Sequence, residues 1–207
     1  MVDRLDSLGQ IKLVQVQPSG LIIETPSGGF YDASRRVKVE RLLITSKGIE
    51  ATTSEGEHVL DIHHLDHPDK AYDDDDLISI GFTAHYEAMR ARFGEHMVDG
   101  AAGENIIIEF EEEVWPEDLG EQVVIENNSK DQRVSLDVVS FATPCEEFSH
   151  FAAQSQGAHL PAEELKSILQ FLNNGRRGFL LVMSDGQEAV EVQPGDKVYR
   201  IGSGSLS

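Results

Sequence analysis

Short apolar runs separated by turn residues fill the first third of the chain, a pattern typical of meandering β-strands. Valine, isoleucine and leucine dominate these runs, and glycine, proline and serine are frequent in the stretches between them. The runs are IKLVQVQ, LIIET and RVKVERLLIT. The segment that follows, from His58 to Leu77, is polar and irregular, so we expect it to be a loop.

Two later segments have the spacing and the end residues of helices. Thr83 is placed to cap a helix through AHYEAMRARF. Pro161 lies in the first turn of a second helix, PAEELKSILQFLN. Further strands are predicted at ENIIIEF, EQVVIE, VSLDVVSF, GFLLVM and KVYRI. Many short strands and few helices indicate a mainly β (α+β) fold, either a barrel or a sandwich.

Length and composition are those of one soluble globular domain. The chain has 207 residues, of which 40% are hydrophobic, enough for a single core. We expect residues 1–201 to form this domain and residues 202–207 to form a flexible tail. The N-terminus lacks an apolar signal segment, and no apolar run approaches the length of a membrane span. We therefore expect a cytoplasmic protein with no membrane partner.

The formal net charge of −20 restricts the choice of partner. Nucleic acids and anionic membranes carry dense negative charge, which an acidic surface repels. We therefore expect no nucleic-acid partner. The acidic run from Asp73 to Asp76 is either solvated charge or a surface that recruits a protein partner.

Cys145 is the only cysteine, so the chain cannot form an intrachain disulfide. Thr143, Pro144 and Glu146 form the pattern of a capping box, which would put Cys145 in the first turn of a short helix. The positive end of a helix favours a thiolate, whereas the adjacent Glu146 and Glu147 oppose it. From these residues alone, Cys145 is either a reactive thiolate or a buried and inert thiol.

Two turns are candidates for ligand contact. Gly100 and Gly103 precede an apolar run, and they would let a ligand approach the backbone or let an anion meet N–H groups. An ordinary turn into a strand is the alternative, and the pattern is neither a P-loop nor a dinucleotide fingerprint. Arg176 and Arg177 follow the second predicted helix. They are either basic partners for Cys145 or neutralise surface acids.

His63 and His67 are four residues apart and lie among aspartates. On a helix, this spacing would turn both rings to one side, where a carboxylate would complete a site for zinc or another divalent metal. Pro68 and the aspartates argue against a helix there, and a polar surface loop is the alternative. A metallohydrolase built on these histidines is one hypothesis for the function.

Five motifs together resemble the MOSC domain, the family named after the C-terminal domain of molybdenum-cofactor sulfurases. They occur in the family's order between residues 60 and 201: GAAGENI, LGEQVVIE, the Pro144-Cys145 pair, GRRG and PGDKVYRI. The segment from His85 to Gly94 is similar to the family's histidine-to-phenylalanine-glycine helix. The first 60 residues match the family poorly. The resemblance implies a β-barrel with a few peripheral helices.

The resemblance also implies a site at Cys145, which would be the catalytic residue. In the family, this cysteine is thought to carry sulfur as a persulfide, or to ligate molybdenum of the molybdenum cofactor (molybdopterin). Asn105 would lie near the pterin, and the arginines of GRRG would face phosphate or the persulfide. The residues expected to bind the cofactor are Gly103, Glu104, Asn105, Arg176, Arg177 and His85.

Three functions follow from the resemblance and the charge. The first is a stand-alone sulfur carrier, which takes sulfur from a cysteine desulfurase of the pyridoxal phosphate pathway, or from another donor. It would pass the sulfur to a cofactor or to a metal–sulfur acceptor. The second is reduction of N-hydroxylated compounds by a molybdenum-cofactor-dependent oxidoreductase. The third is a non-catalytic adaptor that binds a partner through its acidic face. The sulfur carrier, with or without the molybdenum cofactor, is our leading hypothesis.

Overall fold

A computed structural model describes residues 4–201 except residues 27, 71–74, 128–129, 157 and 159. The expected tail, residues 202–207, lies outside the described residues, as do Asp73 and Asp74 of the acidic run. Strands account for 39% and helices for 19% of the structure, which confirms the mainly β class. No helix in the described ranges combines the length and the apolar character needed to cross a bilayer.

Every apolar run that the sequence analysis predicted forms a strand, and the structure contains further strands that were not predicted. The strands are β1 (Leu5–Val16), β2 (Ile22–Thr25), β3 (Gly28–Tyr31), β4 (Val37–Val39), β5 (Leu42–Thr45), β6 (Gly48–Thr52), β7 (His58–Leu60), β8 (Ile78–Phe82), β9 (Ile106–Glu109), β10 (Gln122–Asn127), β11 (Gln132–Phe141), β12 (Phe179–Met183), β13 (Val190–Val192) and β14 (Lys197–Ile201). The helices are α1 (Thr83–Phe93), α2 (Pro116–Leu119), α3 (Glu146–Ala152) and α4 (Ala162–Leu172). A single 3-10 turn, Ala33–Arg35, follows β3.

Seven strands close into a barrel, in the order β1, β14, β10, β11, β12, β8, β9 and back to β1. Neighbouring strands are antiparallel except β8 and β9, which are parallel and are connected through α1. The barrel closes where Leu5 of β1 pairs with Ile201 of β14. A bulge at Gly9 bends β1 there, and its positive φ of 97° and close approach to the Glu109 carbonyl require a glycine.

A smaller sheet of four strands, in the order β13, β5, β6 and β7, is separate from the barrel. Its edge strand β7 pairs Val59 with Ala51. The expectation of a loop from His58 onward is therefore wrong for its first three residues. An edge strand tolerates polar side chains because one of its sides faces solvent, and the ring of His58 contacts the carboxylate of Glu50. The described residues that follow β7, up to residue 70, form turns and bends.

Alternation along the strands separates two apolar clusters. Ile106 and Ile108 of β9 point into the barrel with other aliphatic side chains, whereas Ile107 points outward. The outward cluster covers the barrel with residues of α1, α3 and α4, among them Met89 and Phe148. These helices therefore lie against one outer face of the barrel, next to the strands that precede and follow them.

Two helices start differently from the predictions. Thr83 is the first residue of α1 rather than its cap, and Phe82 occupies the cap position without a side-chain hydrogen bond. The hydroxyl of Thr83 instead donates to the carbonyl of Phe110 and accepts from its N–H group. Pro161 caps α4 instead of lying in its first turn. Tertiary contacts, which a local sequence pattern does not contain, determine these helix ends.

Candidate functional site

A pocket of about 280 Å³ brings four of the sequence-predicted site residues together: Cys145, Arg177, Gly103 and Glu104. It lies between the hairpin of β2 and β3, the turn before β9 and the segment before α3. The other described residues of its lining are Gln17, Leu21, Ile22, Tyr31, His63, Asp76, Ser79, Ala102, Ala142, Thr143 and Leu180. A second pocket, of about 420 Å³, lies on the small sheet and contains none of the predicted site residues.

Cys145 is half-buried and occupies the N-cap position of α3. The backbone is still extended at this residue, with φ −109° and ψ 164°, and no side chain caps the helix. The predicted capping box, with Thr143 as the cap and Cys145 in the first turn, is therefore wrong. The carbonyl of Thr143 instead accepts a hydrogen bond from Arg177, which holds the segment before α3 in extended form.

The guanidinium of Arg177 lies beside the thiol. Its Nη1 is 3.7 Å from the Sγ of Cys145 and 3.0 Å from the carbonyl oxygen of Thr143. The ring of Phe148 stacks on the same guanidinium at 4.3 Å. The Nε of Arg177 is buried and has no hydrogen-bond partner among the described residues. The site therefore holds a positive charge within hydrogen-bonding distance of the sulfur atom of Cys145.

Glu104 contributes a buried carboxyl group to the same pocket. It is 2% exposed, and the hydroxyl of Tyr86 donates to its Oε2 at 2.5 Å. Burial raises the pKa of Glu104 to about 7, against the opposing effect of the Tyr86 hydrogen bond. Gly81 and Gly178 make room for this side chain, since a Cβ on them would lie 2.5 Å from its Oε1 and 2.7 Å from its Cγ. The last glycine of GRRG thus accommodates Glu104.

Buried glutamines hold the turn from Gly100 to Gly103. The Nε2 of Gln15 donates to the carbonyls of Gly100 and Glu104, and the Nε2 of Gln17 donates to that of Gly103. Within the turn, the N–H groups of residues 101–103 donate to acceptors of the protein itself. These N–H groups are therefore not presented to an anion, and the turn supports the pocket through its fixed shape.

Asn105 lies behind the pocket and does not line it. The side chain is 1% exposed, and its Nδ2 donates to the Oδ2 of Asp61 at 2.8 Å. Its Oδ1 accepts from the N–H group and the hydroxyl of Ser79. Because both ends of the amide have protein partners, Asn105 fixes the positions of Asp61 and of Ser79, which does line the pocket.

Arg176 and His85 lie together in another part of the molecule. The guanidinium of Arg176 binds the carboxylate of Glu113 and the carbonyl of Phe171, and it lies between the rings of Trp115 and Phe171. The Nε2 of His85 accepts from the N–H group of residue 114 at 3.1 Å. Burial lowers the pKa of His85 to about 4, so the ring is neutral at physiological pH. The described lining of the Cys145 pocket includes neither residue.

The histidines after β7 are held by turn contacts and not by a helix. The Nδ1 of His63 is 2.7 Å from the Oδ1 of Asp61. The Nε2 of His67 lies 3.2 Å from the carbonyl oxygen of Pro18, and its Nδ1 accepts from the N–H group of Asp69. In the described part of the chain, no group of three or more histidine, cysteine, aspartate or glutamate residues is arranged to hold a metal ion.

Several residues of the site escaped the sequence analysis, although one signal was present. Gln15 and Gln17 are two apart at the end of an apolar run, Gln15 within β1 and Gln17 just after it, and both are buried where apolar residues would be usual. Tyr31 gave no such signal. Its hydroxyl donates to the carbonyl of Ala101, and burial raises its pKa, so it remains a neutral donor at the pocket wall.

Solved structures share this fold at low sequence identity. The YuaD protein from Bacillus subtilis superimposes with a TM-score of 0.59 at 11% identity, over 95% of this chain and 97% of its own. YiiM from Geobacillus stearothermophilus gives a TM-score of 0.51 at 16% identity, over 93% of this chain and 75% of its own. The structure of a hypothetical protein gives 0.52 at 15% identity, over 95% and 70%. At these identities the likeness establishes the fold alone.

The family can be established from the sequence. No curated protein matches the chain significantly. The model of the MOSC domain, however, matches residues 67–199, which is more than half of the chain. That match includes the glycine turn, the segment of Cys145 and both arginines, and the barrel agrees with it. The chain therefore belongs to the MOSC domain family.

Proposed function

We propose that this MOSC protein carries sulfur as a persulfide on Cys145. The observation that supports the proposal is the distance of 3.7 Å between the Nη1 of Arg177 and the Sγ of Cys145, at a pocket. A persulfide is more acidic than a thiol and is an anion at neutral pH, so an adjacent guanidinium stabilises it. The pocket gives the added sulfur atom a volume of about 280 Å³ in which to lie.

The loading step balances without an added oxidant. The thiolate of Cys145 attacks the terminal sulfur of a donor persulfide, such as that of a cysteine desulfurase. A new S–S bond forms at Cys145 and the S–S bond of the donor breaks, so the donor leaves as a thiolate that takes a proton from water. The transferred sulfur keeps its oxidation state. Since the chain has a single cysteine, no second thiol of the protein displaces the sulfur, and release requires an acceptor.

The residues of the pocket also fit the metal end of a molybdenum cofactor. Cys145 offers one half-buried thiol as a ligand, and Arg177 offers one guanidinium to negatively charged sulfur or oxygen atoms. When bound, such a cofactor supplies a redox-active metal. We assign no residue to the pterin, because Asn105, Arg176 and His85 are outside the described lining of this pocket. The function that corresponds to this fit is the delivery of sulfur from Cys145 to the molybdenum cofactor or to a metal–sulfur centre.

Intact-mass analysis tests the sulfur carrier. The protein is incubated with a cysteine desulfurase and free cysteine, and we expect a gain of one sulfur atom that dithiothreitol removes as sulfide. The Cys145→Ser variant should gain nothing, and Arg177→Gln should load more slowly than Arg176→Gln. A gain that persists in Cys145→Ser, or no gain in the wild-type protein, would refute the proposal.

Metal analysis separates the second function from the first. Protein purified from a host that makes the molybdenum cofactor should contain molybdenum that Cys145→Ser loses, if Cys145 is a ligand. The adaptor hypothesis predicts neither a gain of sulfur nor bound molybdenum, and it predicts that Cys145→Ser leaves cellular function unchanged. Protein that loads sulfur and contains no molybdenum would identify a carrier alone.

A further inference from the structure

Glu104 is a buried titratable group to which the sulfur-carrier chemistry gives no task. The carboxyl group is 2% exposed and lines the pocket of Cys145 and Arg177. One of its oxygens accepts from Tyr86, while the other, Oε1, is buried and accepts a hydrogen bond from no other residue that the structure describes. A buried carboxyl group lowers the stability of the fold, because an apolar residue of similar size would fill the same space without a desolvation penalty. Its presence at this position therefore indicates a functional role.

Positive charges lie near Glu104, but they are hydrogen-bonded to other groups. Arg177 donates to the carbonyl of Thr143 and lies against Cys145, and Arg36 donates to the carbonyls of Ala33 and Gly100. Both arginines act on the carboxyl group through space and lower its pKa, yet burial outweighs them. Near neutral pH, the carboxyl group of Glu104 is therefore protonated in only a part of the molecules.

We propose that the proton on Glu104 sets the net charge that the pocket presents to an anion at Cys145. While Glu104 is protonated, the charge of Arg177 is uncompensated and the pocket accepts an anionic sulfur species. Once Glu104 is ionised, its negative charge compensates Arg177, and the pocket accepts anions less readily. Glu104 thus acts through Arg177 as a positioning residue. The identity of the anion as sulfur rests on the proposed function, but the charge effect does not.

Other titratable groups face the same space and have to be separated from Glu104. Tyr31 and Tyr86 stay neutral, since burial raises the pKa of both. His63 and Asp76 belong to the pocket lining. The first turn of α3, which follows Cys145, carries two further carboxyl groups, those of residues 146 and 147, outside the described lining of the pocket. His63 is the important control, because its imidazole lines the same pocket.

Alkylation of Cys145 by two reagents measures the charge of the pocket directly. Iodoacetate is an anion and iodoacetamide is neutral, and both react with the same thiolate. The ratio of their second-order rate constants therefore cancels the fraction of thiolate and reports the local potential. In the wild-type protein, we expect this ratio to fall about fivefold between about pH 6 and about pH 8.5, as one nearby negative charge appears.

Matched variants assign the fall in the ratio to one residue. Glu104→Gln keeps an acceptor for the Tyr86 hydroxyl and cannot ionise, so its ratio should stay high and constant with pH. His63→Gln should retain the fall. Tyr86→Phe removes a hydrogen bond that favours the ionised carboxylate, so the midpoint should move to higher pH. This variant tests the proposal even if Glu104→Gln does not fold.

Specific results would overturn the inference. A constant ratio in the wild-type protein, a fall that persists in Glu104→Gln, or a fall that disappears in His63→Gln would each refute it. The experiment needs no persulfide and no sulfur donor. A failure of Cys145 to accept sulfur would refute the proposed function and leave the charge effect standing, and the reverse result would leave the carrier intact.

Discussion

Arg176 and Arg177 are neighbours in the chain and have opposite surroundings. The Nε and Nη2 of Arg176 bind Glu113, its Nη1 binds the carbonyl of Phe171, and two aromatic rings enclose it. The Nη1 of Arg177 is shared between a carbonyl and the Sγ of Cys145, and its Nε is buried with no hydrogen-bond partner in the described part of the chain. An arginine with a hydrogen bond from each of its three nitrogens to the protein stabilises the fold. One with a donor to spare beside a thiol is available to a ligand.

The same contrast extends to the buried titratable group of each region. His85 contributes to the environment of Arg176, and Glu104 to that of Arg177. Burial favours the neutral form in both, which lowers the pKa of a histidine and raises the pKa of a carboxyl group. The two regions should therefore respond to pH in opposite directions, and the following experiments test that difference.

Glu104→Gln should change the pH dependence of stability most. The pKa of Glu104 rises from 4.5 in the unfolded chain to about 7 in the folded protein. Its contribution is fully present below pH 4.5 and is lost as pH rises through 7, because the unfolded chain ionises first. Across that window, the wild-type protein should lose about 3 kcal/mol of unfolding free energy that the variant does not lose. Urea denaturation over the window, with both proteins in one buffer series, provides the measurement.

His85→Gln should alter the opposite limb of the pH profile. The pKa of His85 falls from 6.5 to about 4 on folding, so its contribution is present above pH 6.5 and is lost as pH falls toward 4. As the pH falls through the upper part of that range, the unfolding free energy of the wild-type protein should decrease by about 2 kcal/mol relative to that of the variant. Parallel profiles of the two proteins would show that His85 does not carry the effect. The amide of the variant can still accept from the N–H group of residue 114.

Alanine substitutions should separate the two arginines by stability. Arg176→Ala removes hydrogen bonds to a carboxylate and contacts with two aromatic rings, which should cost about 2 kcal/mol. Arg177→Ala removes one hydrogen bond to a carbonyl and the contact with the Phe148 ring, but it also relieves a buried donor, so we expect a net loss below about 1 kcal/mol. The midpoints of urea unfolding compare them. Equal losses would contradict the division into a structural and an available arginine.

Arg177→Gln should have the smallest effect, on the reactivity of the thiol alone. Removal of one positive charge beside Sγ should lower the iodoacetate to iodoacetamide rate ratio at about pH 6 by about fivefold. Arg176→Gln is the matched control, since it removes the same charge one residue away and should leave the ratio unchanged. A similar drop in both variants would mean that the charge acts at long range and not by contact.

Strands and helices were largely predictable because their apolar patterns are local in sequence. The composition of the site was less predictable, because it depends on the directions of single side chains. Alternation correctly identified every barrel strand except β8, which the sequence analysis did not predict, and β7 was missed because edge strands tolerate polar residues. Asn174 and Gly175 take positive φ angles of 59° and 90° before the arginine pair. No sequence pattern determines which of two adjacent residues in such a turn faces the pocket. Arg177 meets Cys145 for this reason, and Arg176 does not.

The cap of α3 shows a second limit of local patterns. Thr143 and Pro144 match a capping box, but the contact of Arg177 with the Thr143 carbonyl comes from 34 residues away. Cys145 consequently lies one residue before the helix. The cytoplasmic location, the sulfur donor and the sulfur acceptor stay predictions, since none of them can be inferred from the fold.

The pairing of β1 with β14 has a consequence for how the protein is made. Leu5 and Ile201 are partners in the seam of the barrel, so the ring cannot close on the ribosome until nearly all of the described chain has emerged. Pairings of such long range are slow to form, because the loop entropy is lost before the contacts are gained. During this interval the strands flanking the seam present unpaired edges. Nascent chains stalled before β14 should therefore need a chaperone and should be sensitive to protease.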